Sequence, residues 1–331
     1  MDEKIARRLS LFPLSAQIAP DLQGGEEFTI ASLSLEALAE QYGTPLYLYD
    51  QATLESALSE YRRSLERYYP GEAGITYAGK AFLCTAMAQW VSAQGLMLDC
   101  TGVGELHIAE AACVPRRQVL VHGVNKSDED LQAAVRLAGT IVVDNLGELE
   151  RLVGLHQSGI QPFPEIWLRL RPGMAVDTHA YTQTGQQDSK FGMDFVGGSQ
   201  ALQLCLSAKL PLTGLHFHLG SHFHELTPLR AALAAVVDFS VAALSQQGWA
   251  PQVLCAGGGW GVPYHEDDLP HPSIASYVQY LGSNLQELCK QRSLPLPRLQ
   301  VEPGRSLVAR AGVALNPVGA ENQTPNRRWL V

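Results

Sequence analysis

The sequence predicts an α/β protein built on a (β/α)8 barrel, and three observations lead there. From Thr44 onward, short β-rich runs alternate with stretches whose apolar residues recur every three or four positions, as a helix with one buried face requires. Eight such β runs can be read, the number that closes a barrel. Almost every run ends, on its C-terminal side, in a residue with chemistry. A barrel gathers such ends at one mouth, whereas a doubly wound sheet, which shows the same alternation, would spread them along an edge.

Residues 1–43 read as an irregular or short-stranded lead-in, within which SLSLEALAEQYG forms a short amphipathic helix closed by Gly43. The barrel is expected over 44–315, with 316–331 opening a C-terminal β-domain. Its first strand, 74–79, runs into Lys80, a lone lysine with apolar sequence resuming at Ala81, Phe82 and Leu83. Either its stem snorkels at an element end or a cavity there wants an amine. The second strand, 95–99, ends in Asp99; the third, 118–122, in His122; the fourth, 140–144, in Asp144. The fifth, 165–170, carries Arg169 and runs into Arg171. The sixth, 212–217, brings His216 and His218. The seventh, 251–256, runs into Gly257-Gly258-Gly259, and the eighth, 298–302, into Glu302 and Arg305. Helices are read at 84–94, 103–113, 128–139, 146–159 and 229–248, and no sequence repeat of solenoid length is present.

Hydrophobic content of 46% and charged content of 17% place the chain among globular proteins. A net charge of −9 argues against a general nucleic-acid or anionic-membrane surface, and no stretch reads as a membrane span. The six cysteines lack C-x-x-C spacing and lie mostly in apolar runs, as reduced, buried thiols do. The N-terminus has charges but no continuous apolar h-region, so a cytoplasmic location is expected.

The loops after strands seven and eight are where many barrels hold a phosphate. A triple glycine lets backbone N–H groups approach an anion without Cβ obstruction, and Arg305 would add a charged fork. A phosphate site, a lysine and a carboxylate at one mouth together suggest pyridoxal 5'-phosphate. Its aldehyde needs an amine, a task for Lys80; its ring nitrogen needs an anion, a task for Glu302; and its flat ring needs a face to stack on, which His218 would supply.

Eight motifs carry a family resemblance, in order along residues 40–315. They are YAGKAF (77–82), DCTGVGEL (99–106), HGVNKS (122–127), DNLGEL (144–149), TGQQDSKFGM (184–193), HFHLGS (216–221), GGGWGVPY (257–264) and EPGRSLVARAG (302–312). Together they resemble the alanine-racemase-like fold-type III enzymes and, within them, the ornithine/diaminopimelate/arginine decarboxylases, the H-x-H-x-G-S and T-G…S-K-F-G patterns being nearest to diaminopimelate decarboxylases. The resemblance implies a cofactor-binding barrel with Lys80 holding the aldehyde and His218 stacked on the ring. Ser221, Gly257, Gly258, Gly259 and Arg305 would surround the phosphate, and Glu302 would meet the pyridinium nitrogen. Asp99 and Glu105 would support the lysine region, Arg169 would lie near the phenolic oxygen, Lys190 would belong to a loop over the site, and His216 would be a supporting strand residue. It implies loss of CO2 from an α-amino acid, with diaminopimelate ahead of ornithine, arginine or lysine. It also implies a longer C-terminal region that completes the β-domain, carries substrate-gripping groups and supplies a cysteine and an acidic residue across a homodimer interface. Arg171 stands where many diaminopimelate decarboxylases have asparagine.

Other readings compete. A metal-dependent hydrolase would use His216, His218, His222 and His224, since H-x-H on a barrel strand can hold zinc, but it leaves Lys80 and the glycine run unexplained. GVGELH approaches a dinucleotide fingerprint at Gly102 and Gly104, with His107 in the third glycine's place. A protein that binds the cofactor without turnover is the non-enzyme alternative.

Overall fold

Eight parallel strands close into a barrel in the computed structural model, which describes residues 3–21, 24–174 and 184–330. The barrel strands are β1 (Ala73–Ala78), β2 (Met97–Cys100), β3 (Val119–Val121), β4 (Thr140–Val143), β5 (Glu165–Arg169), β6 (Leu212–His216), β7 (Val253–Cys255) and β8 (Arg298–Val301). Each pairs with its neighbour in sequence, and β8 pairs with β1 through Leu299, Gln300 and Val301 opposite Ala73, Gly74 and Ile75. The helices that follow them are α1 (Thr85–Ala93), α2 (Val103–Ala111), α3 (Asp128–Leu137), α4 (Leu146–Gln157), α5 (Phe195–Ser207), α6 (Thr227–Gln247), α7 (Ile274–Gln291) and the single turn α8 (Arg305–Val308). The expected architecture is therefore observed.

The strands are apolar nearly throughout because both their faces are buried. Leu98, Val121, Ile141, Leu168, Leu215 and Leu254 are sealed from solvent. The alternate residues form the barrel's own filling, a cluster of Leu120, Val142, Trp167, Val253 and Cys255 with Met97 packed against it. Gly214 is required by this filling: a Cβ there would lie 2.7 Å from Trp167 Cδ1. One step further along each strand on the same face come Asp99, His122, Asp144, Arg169, His216 and Glu302, all buried. The period-two geometry of a strand thus places a polar layer directly on an apolar one.

Helix starts follow local chemistry. Ser127 and Asp130 form a reciprocal capping box at α3; Asn145, Asp194 and Ser273 cap α4, α5 and α7 through their side chains. One sequence expectation needs correction. The segment that forms α6 is long and apolar enough to cross a membrane. Its buried residues, Leu229, Ala232, Leu233, Val236, Val237 and Ser240, recur at helical spacing, while Arg230 and Asp238 pair with Glu287 and Arg292 of the α7 region. It is one-sided, as a barrel helix is.

The chain divides into two compact units. One comprises Glu60–Gly261 and Pro272–Ser306; the other comprises Met1–Ser59, Val262–His271 and Leu307–Val331. The second unit holds an antiparallel sheet of Ala16–Pro20, Glu26–Ile30 and Leu33–Ser34, and a pair formed by Leu46–Tyr49 with Gly312–Leu315. Glu321–Gln323 pairs with Arg328–Leu330.

Candidate active site

The C-terminal ends of the strands collect the titratable groups. Lys80 is exposed, in the short 3-10 turn Gly79–Ala81 that follows β1. The turn lies against β2 closely enough that a Cβ on Gly79 would come 2.5 Å from the Asp99 carbonyl oxygen. The charge of Lys80 acts on both Asp99 and His218. Its neighbour on the other side is the loop after β8, where Ala78 N–H donates to the Pro303 carbonyl at 3.1 Å.

Glu302 forms the floor. His122 Nε2 lies 2.9 Å from Oε1 and His216 Nε2 lies 3.0 Å from Oε2, all three side chains being buried. Burial alone would raise the Glu302 carboxyl, but the two histidines outweigh it and hold the group well below the usual range. Asp99 moves the other way. Burial and the nearby Glu302 carboxylate push it well up, against the pull of Lys80, and its Oδ1 has no hydrogen-bond partner. Two carboxyl groups whose surroundings drive them apart are a feature of acid–base sites.

Arg169 is buried, with Nη1 3.3 Å from Asp144 Oδ1 and its guanidinium over the Phe191 ring at 4.6 Å. Asp144 Oδ2 accepts from Gly192 N–H at 3.1 Å, so one carboxylate ties Arg169 to the SKFG segment. Lys190 is exposed, its Nζ 5.2 Å from the same Phe191 ring. Glu105, in the first turn of α2, accepts from Thr101 N–H at 2.6 Å and Thr101 Oγ1 at 2.9 Å, and its charge acts on Asp99.

The ends of β6, β7 and β8 are neighbours, and their loops interlock through glycine. Gly257 and Gly259 have φ of +69° and +100°, which favour glycine, and a Cβ on Gly259 would overlap the Gly220 carbonyl oxygen. On Gly258 it would overlap the Glu302 carbonyl oxygen. Gly258 N–H donates to His218 Nδ1 at 3.2 Å, which fixes that nitrogen as an acceptor; burial, then the charges of Lys80 and Arg169, keep the ring neutral. Ser221 and Arg305 are both half-buried, Ser221 on the loop after β6 and Arg305 at the start of α8. The fold therefore brings Lys80, Asp99, Arg169, His218, Ser221, the three glycines, Glu302 and Arg305 to one end of one barrel. The residue that sequence reasoning left without a role is His122; its position at a strand end was visible, its bond to Glu302 was not.

The zinc reading is not assembled. His216 turns to Glu302 and His218 to Gly258, while His222 and His224 meet each other with ring centroids 4.8 Å apart. Among the described residues, only His122, His216 and Glu302 offer ligand atoms close enough to share an ion, and those atoms are engaged in hydrogen bonds.

Residues 51–309 match the family model for the pyridoxal-dependent decarboxylase pyridoxal-binding domain. The chain is 36% identical over 332 residues to the diaminopimelate decarboxylase of Synechocystis, covering 97% of this chain and 69% of that protein. It is 34% identical over 311 residues to the diaminopimelate decarboxylase of Halalkalibacterium halodurans, covering 93% and 70%. A crystal structure of diaminopimelate decarboxylase from M. jannaschii in complex with L-lysine superposes with a TM-score of 0.83 at 26% identity, covering 96% of this chain and 72% of that one. The residues present fit pyridoxal phosphate. An exposed amine, an ionised buried carboxylate and three glycines whose backbone presses on the neighbouring loops lie on adjacent loops.

Proposed function

The chain belongs to the pyridoxal-dependent decarboxylase family, a carboxy-lyase that works with pyridoxal phosphate, and from that premise we propose that it decarboxylates diaminopimelate to lysine and CO2. The observation that carries the substrate is the pair of diaminopimelate decarboxylase relatives at 34% and 36% identity over nearly the whole chain. Ornithine, arginine and lysine are the alternative substrates.

When bound, the cofactor supplies an electron sink for the bond between the α-carbon and the departing carboxylate. Lys80 Nζ would be the amine that holds its aldehyde, and its exposure leaves it open to solvent. Glu302, ionised, would keep a proton on the ring nitrogen. His218, neutral and hydrogen-bonded through Nδ1, offers a fixed flat face. Gly259 N–H, with Ser221 and Arg305, would receive the phosphate, while Gly258 N–H holds His218 Nδ1 and Gly257 N–H holds the Cys255 thiol. Arg169, anchored by Asp144, would stand by the phenolic oxygen, and Asp99 would set the charge around Lys80. A cytoplasmic homodimer belongs to the same reading.

The test is release of CO2 and formation of the amine product from diaminopimelate, ornithine, arginine and lysine by the cofactor-loaded protein. Turnover of diaminopimelate well above the others is expected. Preference for ornithine or arginine would overturn the substrate assignment.

A further inference from the structure

The bonds around Glu302 cross the barrel. β8 lies two strands from β6 and three from β3 in the closed order, so the contacts of Glu302 with His216 and His122 do not come from strand pairing. They come from side chains meeting over the barrel filling, where the two imidazoles also touch edge to face with centroids 4.6 Å apart. Cys255, on β7, adds its thiol to the same carboxylate. Each oxygen of Glu302 thus has one imidazole nitrogen on it, at 2.9 and 3.0 Å.

An ionised carboxylate has no proton to give, so both imidazoles must carry hydrogen on Nε2. The structure agrees at His216, where Nδ1 is buried and has no partner. A bare nitrogen lone pair tolerates that position better than an orphaned N–H does. An ion on Nε2 would force the hydrogen onto Nδ1 with nothing to accept it, which sets a metal centre aside on geometric grounds. Among the described residues, the other groups facing Glu302 are Asp99, Arg169, His218, Cys255 and Tyr277. Of these only Arg169 is a permanent cation, and it is engaged by Asp144.

We propose that His122 and His216 are positioning residues, a neutral two-histidine clamp whose Nε2–H groups fix Glu302 in one orientation and keep it ionised for the cofactor's ring nitrogen. This rests on the reading of Glu302 as the partner of that nitrogen. Two charge-assisted bonds, one on each oxygen, restrain the carboxylate more than one could, and leave lone pairs on both oxygens for a further donor.

The direct test is 15N NMR of the histidine rings in the cofactor-free protein. The clamp requires Nε2–H tautomers at His122 and His216 through pH 6–8; an Nδ1–H tautomer or a protonated ring at either would overturn it. The second test measures pyridoxal phosphate affinity and the visible absorbance of the bound cofactor in His122→Leu, His216→Leu, their donor-retaining Gln counterparts, and Glu302→Gln. Each Leu variant is expected to bind about tenfold more weakly with an altered band, and each Gln variant to recover most of the loss. If Glu302→Gln leaves affinity and spectrum unchanged, the reading of Glu302 fails. If Glu302→Gln changes both while the Leu variants do not, only the clamp fails. Tight zinc binding by the cofactor-free protein that the Leu variants abolish would replace the clamp with a metal site.

Discussion

Lys126 Nζ lies 2.7 Å from Glu148 Oε1, with the two side chains 1% and 0% exposed. The ammonium also donates to the Gly123 and Val142 carbonyls, both at 2.9 Å, and Glu148 Oε2 accepts from Asp144 N–H at 3.3 Å. The pair ties the loop after β3 to the first turn of α4, and through Glu148 to Asp144, which in turn holds Arg169. Removing one partner leaves an uncompensated buried charge. Lys126→Met is expected to cost about 3–5 kcal/mol in urea unfolding, and Lys126→Met with Glu148→Leu to recover much of it. A single variant as stable as wild type would show that the charges contribute nothing.

Acid should weaken the cofactor-free fold. Burial holds His216 down at about 4 and also lowers His122, both from an ordinary 6.5. Between about pH 6.5 and 4 the unfolded chain therefore binds protons that the folded His216 refuses, so stability present above that window is lost as pH falls through it. Glu302, held well below its ordinary 4.5, extends the same trend to lower pH. The slope for one such group is about 1.4 kcal/mol per pH unit. His216→Gln should flatten the urea-midpoint profile between pH 6.5 and 4; an unchanged slope would mean that His216 is protonated in the fold.

The barrel was legible because its strands announce themselves twice, by apolar runs and by a polar residue at each C-terminal end. Lys80, Asp99, Arg169 and Glu302 could be placed at one mouth on that ground alone. Contacts made across the barrel were not legible. Nothing local in HGVNKS tells His122 to meet a glutamate 180 positions later, and Lys126 looks like an ordinary helix-flanking lysine until its burial is seen. The pairing of Leu46–Tyr49 with Gly312–Leu315 was hidden for the same reason, since antiparallel strands that distant carry no turn signal between them. The bonds of Glu105 to Thr101 were not legible either, because nothing in DCTGVGEL says which neighbour its carboxylate takes.

The glycine run separates packing from plain turn-making. Gly258 presses on the Glu302 carbonyl oxygen and Gly259 on that of Gly220, so a methyl group at either position must push two loops apart. Gly258→Ala and Gly259→Ala are each expected to weaken pyridoxal phosphate binding by about tenfold or more, the scale of an overpacked contact. Gly154, in α4, has open space where a Cβ would stand. Gly154→Ala should leave cofactor affinity unchanged and raise stability by about 0.5–1 kcal/mol. Equal affinity in all three variants, read by cofactor fluorescence, would remove the cradle from the phosphate site.

Three lysines compete for the cofactor aldehyde, and the structure ranks them. Lys126 is sealed from solvent with three acceptors around its Nζ, so no aldehyde reaches it without breaking the Glu148 pair. Lys190 is exposed but sits 5.2 Å from the Phe191 ring, which Arg169 also contacts at 4.6 Å. Lys80 is exposed at the end of β1, and its charge acts on the two groups, Asp99 and His218, expected to face the cofactor. Borohydride reduction of the loaded protein should therefore fix the cofactor on the peptide containing Lys80, and Lys80→Ala should lose both the visible band and the adduct. An adduct on the Lys190 peptide in wild type would move the reacting amine to the SKFG segment, and with it the site of the chemistry.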